Sequence, residues 1–173
     1  LLSDEPDTAS GQLDQVSDDP MVRKFELAEE FRQIGDVDGA RELLQEVVAA
    51  LPHQGNQKHA YIVADNSQPQ AIREAVVTYM QEHHVGTIHV LINNTGGPAG
   101  GPAIDAKPEE FVNAFTNHLL CNQHLAQVVT PGMKDAGYGR IINIISTSVK
   151  QPIPGLGVSN TIRGAVANWA KTL

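Results

Sequence analysis

The sequence predicts an α/β fold, part of a parallel sheet with flanking helices, preceded by an αα-hairpin. Three observations carry this expectation. Two apolar runs of strand length, residues 87–92 and 140–146, end at polar residues and glycines, as buried parallel strands do. Segments with helical apolar spacing alternate with these runs, which implies βαβ crossovers. A change of composition near Pro52 separates this alternation from an earlier stretch with only helical periodicity.

The bulk properties narrow the class. Of 173 residues 41% are hydrophobic, enough for a packed core, and no apolar run approaches the roughly 18 residues of a membrane span. The net charge of −8 is uneven: residues 1–50 hold 13 acidic and 4 basic residues, whereas 51–173 hold 7 and 8 together with all 7 histidines. Such asymmetry suggests two pieces of different origin. Neither piece carries a basic stripe, which argues against nucleic-acid binding. A single cysteine, Cys121, allows no internal disulfide and suits a reducing compartment, so a cytoplasmic location is expected. The chain opens on Leu1-Leu2-Ser3-Asp4, without Met or a secretory signal, and a fragment is expected.

In order along the chain, residues 1–19 form an acidic lead-in too polar to offset its ordering entropy, and disorder is expected there. Residues 20–51 read as a helical hairpin. Asp19-Pro20 is a helix start, and Met21, Phe25, Leu27, Ala28, Phe31 and Ile34 recur at helical spacing. Gly35 stops the first helix. Asp36 or Asp38 caps a second, striped by Val37, Ala40, Leu44, Val47 and Leu51. The positions of Leu27, Ala28, Phe31, Gly35, Ala40, Leu44 and Pro52 resemble a tetratricopeptide unit. The run 22–44 is also similar to the C-terminal helical segment of FimV-type proteins, which organise type IV pilus assembly. That resemblance implies a protein-interaction segment; an ordinary αα-hairpin is the other reading.

Residues 52–173 alternate strand and helix. Residues 59–64 read as a strand ending in Asp65. Ser67 is expected to cap a helix bearing Ile72, Val76, Tyr79 and Met80, which Gly86 ends. The strand 87–92 leads into Asn93-Asn94-Thr95-Gly96-Gly97, and a Pro- and Gly-rich loop precedes one long helix over 108–135. The strand 140–146 follows, then a loop with Pro152, Pro154, Gly155 and Gly157, and helix again from Ser159. Ligands of such sheets sit beyond the carboxyl ends of the strands, where Asp65, Asn94 and Ser146 lie.

Ala64-Asp65, residues 91–97 (LINNTGG) and residues 139–146 (GRIINIIS) resemble the ordered motifs of the short-chain dehydrogenase/reductase family, and Asn94-Thr95-Gly96-Gly97-Pro98 with the run 156–163 resembles more narrowly a 3-oxoacyl-acyl-carrier-protein-reductase-like subgroup. The resemblance implies a Rossmann-like fold over 52–173, NAD or NADP as cofactor, and a small carbonyl or alcohol substrate. It also implies a homo-oligomer packed through the helices at 108–135 and from 159. On the nicotinamide side it places Asn94, Thr95, Gly96 and Ser146, and on the adenine side Asp65 and Asn66. Ser146 matches the family's carbonyl-orienting Ser. The general-acid Tyr falls at Ser159 and the Lys at Arg163, and the relay Asn falls at His118, with Asn117 one residue away and the assignment between them open. The catalytic set is therefore Ser146, Ser159, Arg163 and His118, with Arg163 also available to a ribose or phosphate.

Each departure has a chemical consequence. An aliphatic hydroxyl is a weaker acid than a phenol of pKa about 10, and Ser159 can instead serve as a helix cap. Arg163 stays cationic and cannot take part in proton transfer. No strand within residues 1–58 is followed by the three spaced glycines of a pyrophosphate-binding turn, so impaired catalysis is expected, a non-catalytic nucleotide-binding or scaffold fold being the other reading. The residues 41–49 would suit either the hairpin's second helix or the reductase helix before Ala64-Asp65, which suggests a chimeric reading frame clipped at both ends. The histidines lack paired ligand spacing with a carboxylate or thiol, so no metal site is expected, and Cys121 is expected in the core.

Overall fold

A computed structural model describes residues 19–173. The expected disorder of the lead-in falls, apart from Asp19, outside the described residues. The chain divides into two compact units, Leu1–Val63 and Ala64–Leu173.

The first unit is the hairpin of α1 (Pro20–Gln33) and α2 (Val37–Ala50). Asp19 caps α1, its side chain accepting the Met21 N–H at 2.8 Å, and Pro20 supplies the pre-set first helical φ. Gly35, at φ +87°, turns the chain, and Asp36 accepts the Gly39 N–H at 2.9 Å to start α2. Small residues let the helices meet: Ala28 and Ala40 are buried, and a Cβ on Gly39 would sit 2.6 Å from the Phe31 ring. The expected apolar face is only partly used, because Phe25 stays 61% and Ile34 78% exposed. Two helices alone offer too little surface to cover both flanks of such a face.

The strand expected over 59–64 does not form; this stretch is irregular backbone. Its apolar residues have strand composition, but no neighbouring strand among the described residues completes a ladder.

In the second unit Asp65 folds the chain into a turn, its carboxylate accepting the Ser67 N–H at 2.9 Å. Pro69 then begins α3 (Pro69–Glu82), whose N-terminal flanking residue is Gln68. The expected Ser67 cap is therefore replaced by an Asp65 turn followed by Pro. α3 ends before Gly86: His84 takes φ +52° and Val85 N–H returns to the Met80 carbonyl at 2.8 Å.

Strands β1 (Val90–Asn93) and β2 (Arg140–Asn143) pair in parallel, with Val90 opposite Arg140 and Asn93 opposite Asn143. Both are shorter than the expected 87–92 and 140–146, since each ladder persists only while its partner runs alongside. Leu91, Asn93, Ile141 and Asn143 share the more buried face. On the opposite face Ile92 is 59% and Ile142 45% exposed, so cover on both faces is not achieved within this unit.

The crossover between the strands is not one uniform helix. It comprises α4 (Pro108–Phe115), a π-helical turn (Thr116–Leu120) and α5 (Cys121–Asp135). A 3₁₀ turn (Thr147–Val149) follows β2, and α6 (Gly157–Thr172) closes the unit. Ala114, Val158 and Ile162 form a buried cluster with Phe111 and Ala106 packed on it. Gly157 is required there: its Cβ would lie 2.3 Å from the Ala103 nitrogen. Backbone bonds from Gly101 N–H to Gly155 O and from Gly157 N–H to Gly101 O tie the two Gly- and Pro-rich loops together.

Candidate active site at the carboxyl ends of the strands

The site is built where β1 and β2 end. Asn93 and Asn143 occupy equivalent last positions, and the Asn93 amide donates to Asn143 Oδ1 at 2.8 Å. Asn122 of α5 adds a longer bond to the same oxygen at 3.4 Å. Asn93 Oδ1 is left buried without a hydrogen-bond partner among the described residues. Sequence reasoning missed this chain of three asparagines. The available signal was an Asn closing each of two apolar runs that parallel pairing would bring side by side.

Two residues beyond Asn93, Thr95 meets two expected site residues. Its hydroxyl is hydrogen-bonded to Nδ1 of His118, and its carbonyl accepts from Arg163 Nη2 at 3.3 Å. The other guanidinium nitrogen, Nη1, donates to the Ile144 carbonyl at 3.0 Å. Arg163 therefore spans the ends of both strands from its place on α6. The planar fork of arginine suits this two-acceptor role, which a lysine ammonium would fill with a single point charge.

His118 is buried inside the π-helical turn. The extra residue in such a turn shifts the side chain relative to a regular helix, and π turns recur at functional sites. Burial, and secondarily the charge of Arg163, push the His118 pKa down to about 4. The imidazole is consequently neutral at pH 7 and presents one donor and one acceptor nitrogen. Burial also lowers the Arg163 pKa, although a guanidinium remains cationic at neutral pH. Beside His118, Asn117 leaves its own Oδ1 buried and unpartnered.

Ser146 caps the 3₁₀ turn, its hydroxyl oxygen accepting the Ser148 N–H at 3.1 Å. That arrangement fixes the oxygen while leaving the hydroxyl proton available to an incoming acceptor. Ser159 lies on the first turn of α6, where it makes no side-chain hydrogen bond among the described residues. It is not the helix cap, since Leu156 precedes the first helical residue. Asn94 is exposed, and a Cβ on Gly96 or Gly97 would meet nothing within 4 Å. The chain just past β1 thus borders open space that a flat ring could approach closely.

Asp65 and Asn66 reach the same region from the turn before α3. The Asn66 carbonyl accepts the Cys121 thiol at 2.9 Å, one residue after the turn that holds His118. Burial, with a smaller contribution from the Asp65 charge, raises the Cys121 pKa to about 11, so this buried thiol is un-ionised at pH 7. No cluster of three or more potential metal ligands occurs among the described residues.

The site residues that the structure joins directly are Thr95, His118 and Arg163, at the ends of strands that carry Asn94, Gly96 and Ser146. The open edge at Gly96, the Ser146 donor and the Arg163 cation fit the nicotinamide side of a dinucleotide. A Gly-rich turn for its pyrophosphate does not occur among the described residues before Ala64.

Comparison with known proteins bears on the family and the fold. The family model of short chain dehydrogenase matches residues 24–173, a span that begins within α1. The 7alpha-hydroxysteroid dehydrogenase of Bacteroides fragilis is 32% identical over 117 residues, 64% of this chain and 43% of that protein. The 3-ketodihydrosphingosine reductase of Bacteroides thetaiotaomicron is 30% identical over 122 residues, 70% of this chain and 45% of that protein. A metagenomic short-chain oxidoreductase solved in complex with NADP superposes with a TM-score of 0.64 at 28% identity, covering 79% of this chain and 59% of that one. The chain spans under half the length of these curated relatives. With its parallel strand ends, their motifs and a family match over most of its length, the chain belongs to the short-chain dehydrogenase family.

Proposed function

We propose that the protein carrying this chain is an NAD(P)-dependent oxidoreductase acting on a small carbonyl or alcohol, of the 3-oxoacyl-reductase-like type, and that catalysis by the chain is impaired. The observation that supports this most is Arg163 bridging Thr95 and Ile144, which sets a cation across the strand ends beside Ser146. A bound nicotinamide would supply or accept the hydride. Ser146 would orient the reacting oxygen through its free hydroxyl proton. Thr95, Gly96 and Asn94 would form the floor under the ring, with Asp65 and Asn66 on the adenine side. His118 would hold a proton at one imidazole nitrogen while remaining neutral, in place of the family's relay Asn.

Proton transfer to the reacting oxygen is the weak step. Ser159 and Arg163 stand where the resemblance puts a Tyr and a Lys, and neither donates a proton readily near pH 7. Loss of a general acid lowers rate by roughly 10²–10⁴. Titration of NADPH fluorescence with the purified chain tests the reading: affinity weaker than about 1 mM is expected without a pyrophosphate clamp. Binding tighter than about 1 mM would contradict the loss of cofactor affinity and overturn the impairment.

The exposed Val112 and Phe115 of α4 support oligomerisation through that helix, which sedimentation would detect. A second reading concerns residues 20–51 as a TPR-like interaction segment of a pilus-related partner, joined to 52–173 by a chimeric frame after an acidic lead-in at 1–19. The exposed Phe25 and Ile34 favour it, and the family match from residue 24 favours α2 as a dehydrogenase helix instead.

A further inference from the structure

A groove of about 560 Å³ lies between α3 and α5, among residues distinct from those of the strand-end site. Its α3 side is a single helical stripe, Arg73, Val77, Met80 and Gln81, at spacings of three and four residues. From Arg73 to Gln81 the stripe runs roughly 12 Å at 1.5 Å per residue. Val128 faces it from α5, and Val85 closes the far end.

Two backbone devices build that end. The Val85 N–H bonds the Met80 carbonyl at 2.8 Å after the left-handed turn at His84, which folds Val85 back toward the groove. Gly132 lets the following chain lie on α5, since a Cβ there would stand 3.2 Å from Thr87 Oγ1 and 3.4 Å from the Gly86 carbonyl. The volume lies within the range of small-molecule sites, roughly 300–1,000 Å³.

The charge of the groove runs against that of the chain. The protein carries a net −8, yet no carboxylate lines this groove, and its permanent charge is the Arg73 cation. The neighbouring acid on α3, Glu74, instead accepts from Gln70 at 2.8 Å. Val77, Met80, Val85 and Val128 form the aliphatic part of the lining, and Gln81, Gln127 and His84 add uncharged amides and an imidazole to it. A cation together with an aliphatic lining complements one kind of small molecule, an anionic head on a flexible apolar tail.

We propose that the α3–α5 groove binds a medium-chain alkyl carboxylate, its carboxylate paired with Arg73 and its tail along Val77, Met80, Val85 and Val128. Arginine matches a carboxylate with two parallel N–H donors, and the tail removes aliphatic surface from water. The site is independent of the proposed nicotinamide site and shares none of its residues.

The test uses the full chain labelled at its methionine methyl groups and titrated with decanoate, decanol and butyrate below the micellar concentration of the longer compounds. Decanoate is expected to shift the Met80 methyl resonance saturably, with Kd below about 1 mM, while the Met21 and Met133 resonances stay in place. Arg73→Glu is expected to weaken decanoate at least tenfold, with decanol and butyrate also at least tenfold weaker than decanoate on the native chain. Arg73 is exposed, so the fold should survive this change, and an unchanged far-ultraviolet spectrum of the variant would verify that. A Met80 resonance indifferent to decanoate, equal binding of decanol, or native affinity in Arg73→Glu would each overturn the proposal.

Discussion

The hairpin and the α/β unit spend their apolar residues differently. In the hairpin the buried hydrophobics are Ala28 and Ala40, while the large side chains Phe25 of α1 and Ile34 just after it remain open. In the second unit Val129, Val158, Ile162 and Val166 are buried, and polar groups such as His118 and Asn122 are buried with them. Small residues bring two helices close but remove little surface from water. Helices lying on a strand pair bury large residues and enclose a polar site at its end. The contrast teaches that apolar periodicity alone does not measure stability; the number of elements available to cover a face does.

Substitutions can break or sharpen that contrast. The largest effect is expected from Ile162→Ala, which removes a buried side chain from the cluster with Ala114 and Val158 and should cost about 3 kcal/mol in urea denaturation. Ile34→Ala, at a 78% exposed position, should change stability by less than about 0.5 kcal/mol. If both cost the same, the two units are not packed as described.

Next in size is Arg163→Met. It removes the bonds that join the Thr95 and Ile144 carbonyls and should cost about 2 kcal/mol, the range of hydrogen bonds to a charged group. The same substitution should raise the His118 pKa, because a neighbouring positive charge disappears. Lysine at 163 is expected to recover only part of the stability, since it lacks the two-armed geometry. Within the hairpin, Ala40→Leu should destabilise by about 1–3 kcal/mol through overpacking against α1, again read from denaturation. The smallest effect is expected for Lys24→Met, which breaks the exposed 2.6 Å pair with Glu46 and should stay under about 1 kcal/mol.

The sequence made the alternation of the second unit legible because its strands are apolar runs ended by Asn and Gly. It left strand length illegible, since β1 and β2 extend only as far as their mutual pairing. Residues 59–64 have the composition of a strand and lack a partner, so composition misled there. At the site, Ser146, Thr95 and Arg163 were legible as candidates through the motifs of the resembled family. The Thr95–His118 bond could not be, because it depends on a π turn whose extra residue leaves no mark in the periodicity of 108–135. Likewise the capping roles expected of Ser67 and Ser159 gave way to Asp65 with Pro69 and to Leu156, positions chosen by local backbone geometry.

The low His118 pKa also predicts how stability depends on pH. The unfolded imidazole, with pKa near 6.5, binds a proton more tightly than the folded one at about 4. Stability from this group is therefore complete above pH 6.5 and declines as the pH falls toward 4. The most direct test of the strand-end site is a nuclear magnetic resonance titration of the His118 ring in the native chain and in Arg163→Met. A neutral ring down to about pH 4, with an upward shift in the variant, is the predicted result. A native midpoint at the ordinary value of 6.5, unchanged by the substitution, would contradict the buried Thr95–His118–Arg163 arrangement.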